Sequence, residues 1–159
     1  MRLWLVPVML AVGNSLCAAQ VTDSPACKLF TQKEASAYVG ASLGAGEGSF
    51  IPGNSGCAWS DDAAGFKLTI SVFPAGNALQ LKSWGFESFE GFRAVLDIGA
   101  RAYVARSPVM EVAGQKYGGG WQAGAIVGSE YVAVGLKGPK ADADTAVAFL
   151  RDVIKRRQR

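Results

Sequence analysis

Residues 66–72 alternate strictly: Phe66, Leu68, Ile70 and Val72 are apolar, and Lys67, Thr69 and Ser71 between them are polar. That period of two predicts a strand with one buried and one wet face, ended by Pro74. Ala143, Ala146, Val147, Leu150, Val153 and Ile154 recur instead at helical spacing, the stripe of a helix lying on a core. Asp142 is placed to cap that helix, and Asp152 with Arg156 is spaced as an i, i+4 pair on its wet side. Near the start, Thr31 followed by Glu34 forms a capping box. The helix it opens runs through Ala35, Ala37 and Val39 and stops at Gly40.

The remaining segments carry weaker patterns. Residues 41–56 hold five glycines, Pro52 and Asn54, and predict a long irregular loop. Residues 56–60 predict a strand, and residues 61–65 the turn after it. In residues 75–95, Leu79, Leu81, Trp84, Phe89 and Phe92 could line a helix that Gly85 and Gly91 interrupt. Strands are expected over residues 101–106 and 109–113, with Ser107-Pro108 between them. Residues 121–127 and 131–136 then form a hairpin whose turn contains Gly128-Ser129. Strands joined by hairpins, with helices gathered on one face, predict an α+β two-layer sandwich: an antiparallel sheet packed by helices.

The first 19 residues read as a separate segment. Arg2 precedes the apolar run Leu3 to Val12, and the small residues Cys17-Ala18-Ala19 follow. This is the order of a secretory signal, with cleavage expected after Ala19. An uncleaved anchor would need about 20 apolar residues, and Asn14 and Ser15 interrupt the run. The expected organisation is a signal peptide over residues 1–19 and one α+β domain over residues 20–159.

Removal of Cys17 with the signal leaves Cys27 and Cys57, an even number in an oxidising compartment, and predicts one disulfide. The expected location is the periplasm or the outside of the cell, with no transmembrane span after cleavage. Lys155, Arg156, Arg157 and Arg159 account for much of the net charge of +3. Cations at a helix C-terminus suit its exposed carbonyls, and no basic stripe with interleaved aromatics points to nucleic acid.

Cys27-Lys28-Leu29-Phe30-Thr31 opens a Thr-capped helix that ends at Val39-Gly40, and Gly56-Cys57-Ala58-Trp59 leads into the alternating strand. With Ile98-Gly99-Ala100-Arg101-Ala102-Tyr103, a hairpin and a C-terminal helix, this pattern resembles a family of small exported domains of unknown function. Its marks are a Cys-x-Leu-x-Thr helix start and a Cys-x-Trp strand, and many of its members look like lipoproteins. The resemblance implies the Cys27–Cys57 bridge and the α+β fold, and it supplies no catalytic or ligand residues. The sequence departs from a lipoprotein pattern at Leu16-Cys17, where a small residue should precede the cysteine, so lipid anchoring at Cys17 is disfavoured.

The chain contains no histidine, which removes Ser-His and Cys-His nucleophile pairs and histidine-based metal sites. Asp61-Asp62 on the turn, and Glu87 with Glu90, are the carboxylates a hydrolase could use, although solvated turns and helix faces are rich in acids. Gly44-Ala45-Gly46-Glu47-Gly48 follows a helix and lacks a lysine, so it reads as a flexible loop rather than a phosphate cradle. Gly118 to Gly120, between Tyr117 and Trp121, read as a bend or a binding rim. The aromatic group Trp84, Phe86, Phe89 and Phe92 reads as core or as a partner surface, with Phe86 the candidate for exposure.

The expected function is a non-enzymatic binding or accessory domain of the cell envelope, without cofactor or metal. Its partner would be another exported protein or a small ligand. The candidate contact residues are Trp84, Phe86, Tyr117, Trp121, Asp61 and Asp62. A periplasmic inhibitor or immunity-type protein is a specific form of this reading, and a carboxylate-based hydrolase is the alternative.

Overall fold

The computed structural model of the chain describes residues 24–51, 54–78 and 85–159. The expected leader over residues 1–19, Cys17, and the positions Leu79, Leu81 and Trp84 lie outside these residues.

Helix α1 (Gln32–Val39) begins at the capping box: Thr31 Oγ1 accepts from the Glu34 amide at 3.2 Å, and Glu34 Oε2 accepts from the Thr31 amide at 2.8 Å. It ends at Gly40, whose φ of 76° is the left-handed cap that glycine adopts without strain. Helix α3 (Ala143–Arg157) begins at Asp142, which accepts from the Thr145 amide at 2.7 Å. Its buried stripe is Ala146, Val147, Phe149, Leu150 and Val153.

These helices pack against a seven-stranded antiparallel sheet. The strands are β1 (Glu47–Ile51), β2 (Asn54–Asp61), β3 (Phe66–Pro74), β4 (Arg93–Ala94), β5 (Ala100–Arg106), β8 (Trp121–Val127) and β9 (Glu130–Lys137), in the order β1-β2-β3-β9-β8-β5-β4. A separate two-stranded sheet consists of β6 (Met110–Val112) and β7 (Gln115–Tyr117). The molecule is α+β, as the hydrophobic pattern predicts. The disulfide joins Cys27 to Cys57 with their Cα atoms 5.0 Å apart, and ties the 3-10 turn Pro25–Lys28 to β2.

The structure departs from the expectations at several places. Residues 41–56 are not one irregular loop: β1 and the start of β2 lie within them, paired from Glu47↔Ala58 to Ile51↔Asn54. In the segment from Gly44 to Gly48, Glu47 and Gly48 belong to β1 rather than to a loop. A methyl group on Gly46 would lie 2.7 Å from Trp59 Nε1 and 3.0 Å from Cys57 Sγ, so this glycine serves close packing. In residues 75–95 the described part agrees with interrupted helical structure, as one helical turn, α2 (Ala75–Ala78), and a 3-10 turn over Phe86–Ser88; the short strand β4 that follows was not expected. Gly85 and Gly91, at φ 63° and 66°, flank the 3-10 turn as the expected interruptions. Residues 110–112 pair with β7 instead of joining the main sheet.

A further correction concerns Asp152 and Arg156, which turn to the N-terminal part of the chain rather than to each other. Tyr38 donates its hydroxyl to Asp152 Oδ2. Arg156 bonds Glu34 Oε1 at 2.8 Å and the Leu29 carbonyl at 2.6 Å, and its guanidinium lies 3.9 Å from the Phe30 ring centroid. The end of α3 is thereby clamped to the start of α1.

That clamp has a pH signature. The Arg156 hydrogen bond, then the Thr31 amide, hold the Glu34 carboxyl at about 2, below its ordinary 4.5. A depressed carboxyl contributes stability that is complete above its unfolded value and lost as pH falls toward the folded one. Glu34→Gln should therefore lower the thermal midpoint near neutral pH and flatten its decline between pH 4.5 and 2. Thermal melts of both proteins across that range check this; parallel curves would show that Glu34 is not the titrating group.

Candidate functional site

Strand alternation gives the sheet two unlike faces. Leu68, Ile70 and Val72 of β3, Val132, Val134 and Leu136 of β9, and Ala102 and Val104 of β5 enter the core shared with α1 and α3. The intervening residues, among them Lys67, Thr69, Ser71, Gln122, Ala133, Gly135 and Lys137, lie on the opposite face. That face carries two depressions at opposite ends of the β8–β9 hairpin.

The first is a groove of about 470 Å³ crossing β3, β9 and the start of β8, with β7 along one side. Lys67, Lys116 and Lys137 line it, and Asp62 is the one acid among its lining residues. Lys67 and Lys137 stand directly opposite each other in the β3–β9 register, an arrangement in which like charges repel. No ion pair is made by these three lysines among the described residues. Gln122 also lines the groove, and its Nε2 is buried without a hydrogen-bond partner.

The β6–β7 hairpin stands at the groove's side. Ala113 and Gly114, at φ 52° and 78°, supply the two positive dihedrals of a tight hairpin turn. Its base is closed by the Ser107 amide bonding the Gly120 carbonyl at 2.8 Å and the Gly119 amide bonding the Ser107 carbonyl at 3.1 Å. Gly118 has φ 81°, and a methyl there would meet the Pro108 carbonyl oxygen at 2.1 Å, so the glycine run is a bend built for close backbone approach. Val109, Met110 and Val112 on the hairpin are 62%, 58% and 59% exposed, and Tyr117 is exposed beside them.

The second depression is an apolar pocket of about 280 Å³. Its floor is Tyr103 and Tyr131, whose hydroxyls bond each other at 2.9 Å and whose burial pushes both phenols up. Gly124 makes room for this pair, since a methyl there would lie 2.3 Å from the Tyr131 hydroxyl. Phe86 stacks on Tyr103 at 4.7 Å between centroids, and Phe92 lies 6.3 Å from the same ring. Phe89 meets Phe86 edge-on at 5.4 Å.

The candidate contact residues thus divide. Tyr117, Trp121 and Asp62 line the groove, whereas Phe86 forms a wall of the apolar pocket. Trp121 is half-buried, with Arg106 5.5 Å from its ring centroid and Gly91 packed against its far edge. Asp61 serves the turn, accepting from the Ala64 amide at 3.1 Å. The carboxylates of Glu87 and Glu90 are not brought to one site: Glu87 lines the apolar pocket, and Glu90 pairs with Arg106 at 3.5 Å.

Sequence reasoning missed Lys67, Lys116, Lys137 and Gln122. The wet side of the alternating strand signalled Lys67, but only the strand register brings Lys137 beside it. Among the described residues, no cluster of three or more histidine, cysteine or acidic side chains is placed to hold a metal ion. No known protein family model, curated protein or solved structure matches this chain.

Proposed function

We propose that the protein is an exported, non-enzymatic binding domain that engages an acidic surface of another envelope or secreted protein. Its contact surface is the lysine-lined groove together with the apolar β6–β7 hairpin. The observation that carries this reading is the gathering of Lys67, Lys116 and Lys137 on one groove, with Lys67 opposed to Lys137 and no acid paired to them among the described residues. Like charges held together are relieved by a partner that brings carboxylates, and complementary charge also steers encounter. The hairpin adds the apolar contact: Val109, Met110 and Val112 lie in water in the free molecule and would bury area in the complex. A projecting hairpin beside a charged groove suits an inhibitor or immunity-type protein, which enters the cleft of its target.

The test is capture of partners from envelope and secreted fractions by the oxidised protein, compared with two variants. Reversing the groove charges together (Lys67→Glu, Lys116→Glu and Lys137→Glu) should lower partner affinity by at least about 100-fold, since each close charge pair is worth roughly 1.5 kcal/mol or more. Met110→Asp with Val112→Asp should weaken it independently. A partner captured equally by wild type and both variants would bind elsewhere, and this surface would then be wrong.

A further inference from the structure

The apolar pocket beneath Phe86 is separate from the groove and shares no lining residue with it. Arg101 has φ 53°, a left-handed conformation that costs a residue with a Cβ, and it sits where the β5–β8 register shifts between Ala100 and Tyr103. Such irregularities re-aim side chains, and strain of this kind collects at ligand sites. Arg101 lines the pocket, and so does Glu87. The two charges share one pocket yet form no ion pair with each other or with any described residue. Beyond them the lining is apolar: Phe86, Phe92 and Ile126 over the neutral tyrosine floor.

We propose that this pocket binds a small zwitterion with an apolar body, of the class of an apolar α-amino acid. The body fills the space between Phe86, Phe92 and Ile126. The carboxylate pairs with Arg101, whose planar guanidinium matches it in a two-point contact, and the ammonium pairs with Glu87. A ligand bearing only a carboxylate would leave Glu87 unpaired and repelling it, and one bearing only an ammonium would do the same at Arg101. At about 280 Å³ the pocket lies just below the roughly 300 Å³ where drug-sized sites begin, so its occupant is small.

Titration calorimetry on the oxidised protein should compare L-phenylalanine with 3-phenylpropanoate, which lacks the ammonium, and with 2-phenylethylamine, which lacks the carboxylate. L-phenylalanine is expected to bind at least about tenfold tighter than either, a difference of about 1.4 kcal/mol. Arg101→Gln should reduce it to the level of the amine, and Glu87→Gln to the level of the acid. Both side chains are exposed, and Arg101→Gly, which suits the positive φ, supplies a variant that loses the guanidinium while keeping the backbone. Absence of L-phenylalanine binding, equal affinity for the three compounds, or indifference to both substitutions would overturn the proposal.

Discussion

Replacing Cys27 and Cys57 together by alanine should lower the unfolding free energy by about 3–4 kcal/mol, the closure entropy of a loop of this length. The bridge spans 30 positions and joins a turn that precedes α1 to a strand inside the sheet. Without it, the 3-10 turn is still held to β2 by the burial of Ala26 and by the Ala26 amide bonding Ser55 Oγ at 3.1 Å. Urea unfolding monitored by circular dichroism checks this: the midpoint should fall by about 2 M at a slope of 1–3 kcal/mol per molar. Alanine is the better probe because Cys57 is buried, where serine would add the cost of an enclosed hydroxyl. A midpoint unmoved by the substitution would mean that the sheet and the helix clamp already fix this segment.

Phe149→Ala should cost as much or more, about 3–5 kcal/mol. Phe149 is fully buried, and its ring centroid lies 4.9 Å from that of Phe30 and 4.6 Å from that of Tyr38. It is the point where α3, α1 and the stapled turn meet. Removing the ring empties that junction, while the Arg156–Glu34 and Tyr38–Asp152 contacts hold its walls apart. Phe149→Leu, which keeps most of the volume, should cost less than about 1.5 kcal/mol. Equal losses for the two variants in denaturant unfolding would show that the site collapses freely.

The elements that local chemistry determines were legible in the sequence. The Thr31–Glu34 box, the Gly40 cap, the Asp142 cap, the alternation in β3 and the β8–β9 hairpin each depend on neighbours a few residues apart. Strand β1 was not legible, because glycine marks both mobile loops and places where side chains of another strand press close. Gly46 is the second kind, and only the position of Trp59 reveals it. Residues 110–112 carry an apolar pattern fit for a sheet, yet they bury nothing in the main one. Tyr117, Trp121 and Asp62 stood out because the two aromatics flank a glycine run and the acid lies on a turn, and the structure places all three on the groove. The lysines were not: Lys67 and Lys137 lie seventy positions apart and meet through the β3–β9 register. Arg101 has no sequence signature, since its distinction is a backbone angle.

The sheet order also governs the sequence of assembly. Strands β1, β2 and β3 form one meander, and β4, β5, β8 and β9 pair in chain order as a second block; among the described residues the two blocks join in the sheet at β3 against β9. In a chain made from its N-terminus, the first meander and its disulfide can close once β3 has appeared. The edge of β3 must then wait, unpaired, until residues 130–137 arrive. Closing that seam is a long-range event and the natural slow step. Until it closes, β3 offers an open edge to any other chain.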